Sequence, residues 1–473
     1  MADLNGWSAD LTVEVAGHGV VNHTGSVALR LIADGLGLTG GLSRVLSAPS
    51  REVTHDRGRV FTDTAVMIAD GGRVLSDLAV LRDQAELYGD VASASTLWRT
   101  LDEVGPLQRD RIAAVRAKIR ARVWKLIAAR HGGIPPSKVA DRDLGRQVVI
   151  RLDATLVTAH SDKEKAAGTF KGTYGHHPLT GWCDNTGESL VIKLRPGNAG
   201  SNTASDHVEV LDASITQVPW PYRRNLLVTI DGAGASHALI DHLHAIDARA
   251  GQRLEYSAGW DLSEREKTAI TQVPPTAWQA VLDRHGDARD TDQAGVVELT
   301  GLLRHGPDGD TLATWPKQMR IICRRERPSS GAQLSLLEEA DGWRYQLIAT
   351  ASTHRDIQFL EARHRPQARV EDRIRCAKST GPGHMPSASF KVNQAWCDAA
   401  AIACDLLCWL RLLCLTGTLT SAEPTTLRYK LLHTAARIIR GQRKRKIRIP
   451  ETWPWSHDLA VCIAFGLALN PSG

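Results

Sequence analysis

Val148-Val149-Ile150-Arg151-Leu152-Asp153 is a short, β-branched run closed by an acid, and Leu226-Leu227-Val228-Thr229-Ile230-Asp231 repeats the pattern downstream. Runs of this length and composition read as buried strands, and the small or turn-forming residues after each acid set the carboxylates at the edge of a sheet. Outward from the first run the strand pattern continues. Gln147 to Thr158 is one strand, Thr169 to Asp184 with Gly172, Gly175 and Gly181 is a turn-rich second, and Ser189 to Leu194 is a third, closed by Arg195-Pro196-Gly197-Asn198. Three consecutive strands predict a meander. Helices are predicted at Ser205 to Thr216 and Ser236 to Ala248, on either side of the strand Leu226 to Ile230.

Three antiparallel strands, a helix, a parallel strand and a helix make up the ribonuclease H-like α/β arrangement, in which acids from the first and fourth strands meet because those strands are neighbours. A third acid, Glu371, sits in the charged, helix-permissive stretch Arg369-Val370-Glu371-Asp372-Arg373-Ile374-Arg375. It lies farther from Asp231 than one connecting helix and strand would need. The block between them alternates polar and apolar residues around Leu254, Val296, Ile321 and Tyr345, which predicts a β-rich insertion. The expected division is a mostly helical N-terminal DNA-binding region at 1–140, the first part of the core at 141–250, the insertion at 251–352, the second part of the core with Glu371 at 353–415, and a basic, helical C-terminal region at 416–473.

The N-terminal region predicts a strand at Leu11 to Val21 and helices at Ser26 to Leu36, Asp63 to Asp70 and Ser76 to Leu87, with Gly71-Gly72 as C-cap punctuation. In Ser93-Ala94-Ser95-Thr96-Leu97-Trp98-Arg99 an N-cap precedes a short helix with Arg99 outward. That fits a helix-turn-helix reader of DNA, and it fits an ordinary capped helix of a bundle equally well. A long basic helix from Leu107 to about Arg130 ends at the break Gly132-Gly133-Ile134-Pro135-Pro136.

The 473 residues carry a net charge of +6 and a pI near 8.9, a mild excess that is clustered. One cluster is Arg109, Arg111, Arg116, Lys118, Arg120, Arg122, Lys125 and Arg130. The other runs from Leu427 to Ile449 without an acid and includes Arg443, Lys444, Arg445 and Lys446. Such runs either attract phosphate backbones or form solvated faces. Cys397, Cys404, Cys408 and Cys414 fall in one apolar helical stretch without zinc-type pairing, so they read as small core residues in a reducing compartment. Met1 to Ala9 lacks a secretory pattern, and no window reaches the roughly 20 apolar residues of a membrane span. The expected location is cytoplasmic.

Two Asp and one Glu form a hard-oxygen cage suited to Mg²⁺, and two such ions about 4 Å apart can activate a nucleophile, stabilise a leaving oxygen and offset phosphate charge. Asp153, on the central strand, is the expected bridge between the ions, and Mn²⁺ is the expected substitute. Glu361, ten residues upstream of Glu371, is the rival third acid. Trp260, Trp278, Trp315 and Trp343 are candidates for the core or for stacking on a displaced base. His176 and His177 contact phosphate or stay neutral in a turn.

The chain resembles the DDE transposases of bacterial insertion sequences, DDE domain group 1, in the insertion-sequence 1380-like branch whose third acid lies in a Y-x2-R-x3-E-x6-K signature. Glu371 and Lys378 keep that spacing, while His364 stands at the Tyr position and Gln367 at the Arg position, with Arg365 and Arg369 beside them. Asp153-Ala154-Thr155, Tyr174-Gly175-His176-His177-Pro178-Leu179, Leu194-Arg195-Pro196-Gly197-Asn198, Ile230-Asp231-Gly232-Ala233-Gly234 and Phe390-Lys391-Val392-Asn393-Gln394-Ala395-Trp396 resemble further family segments, from about residue 20 to 460. The resemblance implies cut-and-paste movement of a DNA element, with terminal inverted repeats held by a synaptic homodimer near the bacterial nucleoid. It implies catalysis and metal binding by Asp153, Asp231 and Glu371. Contacts to double-stranded DNA are expected from Lys378, Arg365, Arg369, Arg99, Arg443, Lys444, Arg445 and Lys446. The alternatives are a nuclease of the same fold without strand transfer and a non-cutting DNA-binding regulator.

Overall fold

The computed structural model describes residues 11–47, 53–159, 162–200, 203–231, 235–306, 309–329, 334–441 and 444–470. At the N-terminal end the expected strand shortens to Val20–Val21. Helix α1 (Ser26–Gly35) follows, then α2 (Leu38–Leu46), which the sequence reading missed because Gly40-Gly41 argues against a helix. Gly41 has a packing reason, since a Cβ there would meet Val115 at 2.7 Å. Asp56 caps α3 (Arg57–Asp70) by accepting from the Arg59 amide, and Gly71 ends it at φ 115°. The cap starts the helix six residues earlier than periodicity alone predicts. The helix expected over 76–87 is broken into short turns at Leu75–Leu78, Ala79–Arg82 and Ala85–Tyr88. Ser93 caps α4 (Ala94–Asp102), and α5 (Pro106–His131) is the long basic helix.

The reading of α5 as a basic face needs correction. Arg116 and Arg120 point inward and are buried. Both contact Asp405, at 2.8 and 2.6 Å, and Arg120 also holds Glu188 at 2.9 Å. The indole N–H groups of Trp124 and Trp409 complete the shell of Glu188, donating at 2.6 and 2.7 Å. Buried charges persist because each meets an opposite charge or a dipole. Arg109 pairs with Asp398, and Arg122 and Arg130 donate to backbone carbonyls. That leaves Arg111, Lys118 and Lys125 as the solvated remainder of the cluster.

The core meander is β1 (Val148–Ala154), β2 (Leu179–Cys183) and β3 (Ser189–Lys193), followed by α6 (Ala204–Gln217), β4 (Asn225–Ile230) and α7 (His237–Asp247). β1 pairs antiparallel with β2 and in parallel with β4, as the expected arrangement requires. Next come β5 (Arg253–Trp260), β6 (Gln279–Ala280), β7 (Ala294–Glu298), β8 (Arg320–Glu326) and β9 (Arg344–Thr350). All of these belong to one nine-stranded sheet of order β6-β7-β8-β9-β5-β4-β1-β2-β3.

The block 251–352 is therefore not a detached β module. β5 pairs in parallel with β4 as the fifth core strand, and β9 covers its far edge in antiparallel register, Ser257 opposite Thr350. An open edge leaves a row of backbone donors and acceptors without partners, and the inserted strands supply them. Period-2 alternation marks strands without saying what they pair with. Trp260, Trp278 and Trp343 are buried, which favours the core reading of these tryptophans.

Helices α8 (Ile357–His364) and α9 (Ala368–Lys378) return to the core, and α10 (Phe390–Cys414) lies buried along most of its length. Cys397, Cys404, Cys408 and Cys414 are buried free thiols on it. No helix among the described residues is long and apolar enough to cross a membrane. The C-terminal region is not simply helical. β10 (Ala436–Gly441) and β11 (Lys444–Arg448) form an antiparallel hairpin before α11 (Ser456–Ala468), and Val20–Val21 pairs with β10. The density of basic residues hid the alternation in which Ala436 and Ile438 turn inward while Arg437 between them turns out. One hydrophobic cluster runs through the N-terminal helices, the sheet, α10 and α11, with α3 against α10 and α1 against α11.

Candidate active site

Parallel pairing of β1 with β4 sets Leu152 opposite Ile230, so Asp153 and Asp231 leave adjacent strands at the same end. Glu371 comes from the first turn of α9, where the helix dipole favours an acid. The three carboxylates line one cleft of about 470 Å³. Asp153 is half-buried, while Asp231 and Glu371 are exposed. Burial pushes the Asp153 carboxyl up to about 7, and the charges of Asp231 and Glu371 push in the same direction against the Ala154 amide and Lys171. Like charges converging on a desolvated acid produce this shift.

The oxygens of the three acids do not all come within 4.8 Å of one another, a spacing met among the described residues by His23, Asp70 and His433 and by Asp372, Cys376 and Glu423. Two ions sharing the cleft would not require it. All three donors are hard carboxylate oxygens, and the repulsion felt by Asp153 is what a divalent cation relieves. The residues fit such an ion.

A chain of buried polar contacts holds the frame. Arg151, inside the apolar run of β1, pairs with Asp184 at 2.9 Å and donates to the Thr229 hydroxyl at 3.1 Å. Thr229 donates to Gln367 Oε1 at 2.6 Å, and Gln367 Nε2 donates to the Leu152 carbonyl at 2.9 Å. Gln367, one residue before α9, thereby ties the helix of Glu371 to both aspartate strands. His364 lies 2.9 Å from the Ser257 hydroxyl, and burial pushes its imidazole down to about 4 despite the nearby Asp231. It is neutral at pH 7.

The remaining predicted residues are dispersed. Lys378, two helical turns beyond Glu371, is half-buried and near Asp153, and burial and then Lys171 lower its pKa. Arg365 lines the cleft but holds Glu361 at 2.9 Å, and Arg324 lies 3.5 Å from the same carboxylate. Glu361 also reaches the cleft, though buried and flanked by these two cations. Arg369 is exposed and pairs with Asp184 at 3.3 Å, opening onto a different hollow. Arg99 is exposed on α4, folded back to the Ser95 carbonyl at 3.2 Å. Lys444, Arg445 and Lys446 are exposed on β11, and Arg443 lies outside the described residues. Arg99 and the β11 residues do not line the cleft.

The sequence reading missed Asp261, a further cleft acid directly after β5. Its signal, an acid closing a strand, was the one that found Asp153 and Asp231. Lys171, in a glycine-flanked turn, carries no sequence signal for its nearness to Asp153.

A family model described as Transposase DDE domain group 1 matches residues 6–465 of the chain. No curated protein matches it. Among solved structures, a piggyBac transposase synaptic complex with hairpin DNA, determined by cryo-electron microscopy, is similar over 83% of this chain and 78% of that one. The identity is 11% and the TM-score 0.34.

Proposed function

The chain belongs to the transposase DDE domain group 1 family, and on that premise we propose that it moves an insertion sequence by cut-and-paste chemistry, hydrolysing DNA at terminal inverted repeats and joining the freed 3′ ends to a target. The observation that carries this reading is the convergence of Asp153, Asp231 and Glu371 on one cleft, with Asp153 held near pH 7 by burial and by the other two. We assign these three as the catalytic acids; they would hold two Mg²⁺ ions, Asp153 being the acid that would serve both, with Mn²⁺ as a substitute. Bound there, divalent ions supply charge neutralisation at the phosphate and a more acidic water or hydroxyl.

The chain's own residues do the positioning. Gln367 fixes the Glu371 helix against both aspartate strands. Neutral His364 packs beside Asp231 without competing for its charge. Lys378 and Lys171 bring positive charge toward Asp153, where a phosphate oxygen would lie. Arg365 lines the same cleft beside Glu361, Arg369 borders a neighbouring hollow, and Arg99 with the hairpin residues Lys444, Arg445 and Lys446 holds flanking duplex. Half-kept spacing of the third-acid signature supports the insertion-sequence 1380-like branch. Two element ends must be held together for joining, which supports a homodimer on double-stranded DNA in a bacterial cytoplasm.

Labelled linear DNA carrying the inverted repeats that flank the coding region tests the reading. Joined products with Mg²⁺ are expected. Cleavage without joining would leave a nuclease of the same fold, and salt-sensitive binding with neither would leave a regulator.

A further inference from the structure

Far along the chain from the cleft acids, His23, Asp70 and His433 meet where the basic hairpin leaves the helical body. His23 Nδ1 lies 2.6 Å from Asp70 Oδ2, and His433 Nε2 lies 3.5 Å from Asp70 Oδ1 and 2.8 Å from the Asp70 carbonyl. The ligand atoms of all three lie within 4.8 Å of one another, and the two rings approach to 4.4 Å. We propose that these residues bind a zinc-type divalent transition-metal ion that staples the root of the β10–β11 hairpin to the end of α3.

The backbone brings these side chains together. The Thr24 and Gly25 amides donate to the Thr434 and Leu432 carbonyls, each at 3.1 Å, so the segments carrying His23 and His433 are already paired. His23 holds φ 51°, a left-handed conformation uncommon for residues other than glycine. Asp70 is the last residue of α3, where aligned carbonyls favour a cation. The Ser26 hydroxyl donates to Asp70 Oδ1 and orients the carboxylate, as an outer-sphere partner of a metal ligand does. Arg428 donates to the Ala69 carbonyl at 2.9 Å, near enough for its charge to act on Asp70, so a bound ion shares that carboxylate's field with the guanidinium.

The donor set selects the ion. Two imidazoles and one carboxylate suit zinc and its neighbours, whereas Mg²⁺ and Ca²⁺ prefer oxygen alone. Asp70 is buried, His23 is largely covered, and His433 is 40% exposed and borders an open cleft of about 610 Å³. Solvent can reach the site from that side to complete the coordination.

The full chain, purified without a polyhistidine tag and dialysed against metal-free buffer, is titrated with Zn²⁺ alone and followed by calorimetry, by thermal melting and, with Co²⁺ in place of Zn²⁺, by visible absorption. Stoichiometric binding and a raised melting temperature are expected. His433→Gln keeps a donor for the Asp70 carbonyl, a bond that the imidazole Nε2 gives up when its lone pair turns to the ion, so the variant is expected to keep the fold while binding Zn²⁺ at least roughly tenfold more weakly. His23→Gln behaves likewise, and both histidine variants are also compared in the Asp153→Asn, Asp231→Asn background, where the cleft carboxylates no longer add zinc of their own. Absence of stoichiometric zinc, or equal affinity in the wild type and both histidine variants, overturns the proposal.

Discussion

The Thr229 hydroxyl donates to Gln367 Oε1 at 2.6 Å. Thr229 lies two residues before Asp231 and Gln367 four before Glu371, so one bond spans two chain segments that each deliver a cleft acid. The second amide bond of Gln367, to the Leu152 carbonyl, brings in the segment of Asp153. Relative placement of the three acids thus depends on a neutral side chain that touches none of the chemistry.

Gln367→Ala removes both hydrogen bonds and leaves a buried carbonyl unpaired, which costs about 1–3 kcal/mol. The expected outcome is a lower kcat for DNA cleavage with little change in DNA affinity. Cleavage kinetics beside binding isotherms check it, and an unchanged kcat rules out the positioning role.

Asp153→Ala, Asp231→Ala and Glu371→Ala should each abolish cleavage and leave end binding largely intact, because these acids do not read bases. Glu361→Gln is expected to lose stability instead, since it removes the buried charge that Arg365 holds and that Arg324, also paired with Glu326, shares. Asp261→Ala is expected to keep measurable cleavage. An active Glu371→Ala beside an inactive, folded Glu361→Gln or Asp261→Ala would reassign the third acid.

The Asp153 carboxyl titrates near 7 in the folded chain against an ordinary 3.8, so between those values the native state keeps a proton that the unfolded chain has released. Metal-free protein therefore loses stability as pH rises from about 4 to 7. Melting temperatures measured in chelator from pH 4 to 8 should fall less in Asp153→Asn than in the wild type. Divalent-ion affinity should rise over the same range, as the ion must displace that proton.

Neutralising Lys444, Arg445 and Lys446 together should weaken DNA binding and reduce the slope of log affinity against log salt by about 0.9 for each phosphate these side chains had neutralised. Melting temperature should hardly move, because the three side chains are exposed. An unchanged slope makes the hairpin a bystander.

Arg120→Ala, by contrast, removes the buried cation held between Asp405 and Glu188, leaving Asp405 with Arg116 and Glu188 with neutral donors, and should cost about 3–5 kcal/mol. Denaturant unfolding measures it. A loss of DNA affinity at full stability would return the α5 arginines to the binding surface.

The sequence alone determined the core strands, because an apolar β-branched run closed by an acid is a local pattern. It determined the pairing of the first and fourth strands, because the order of elements allowed few topologies, and it picked out Asp153, Asp231 and Glu371. Tertiary structure decided what local pattern cannot carry. Arg116 and Lys118 look alike in a basic helix, and only the tertiary fold, which sets Asp405 against Arg116, makes one buried and the other solvated. The alternation of residues 253–350 announces strands but not that they extend the same sheet, since register and partner are set by the free edge of β5. Arg151, Gln367 and Lys171 reach the site through the packing of segments far apart in the chain, and no spacing rule encodes that proximity.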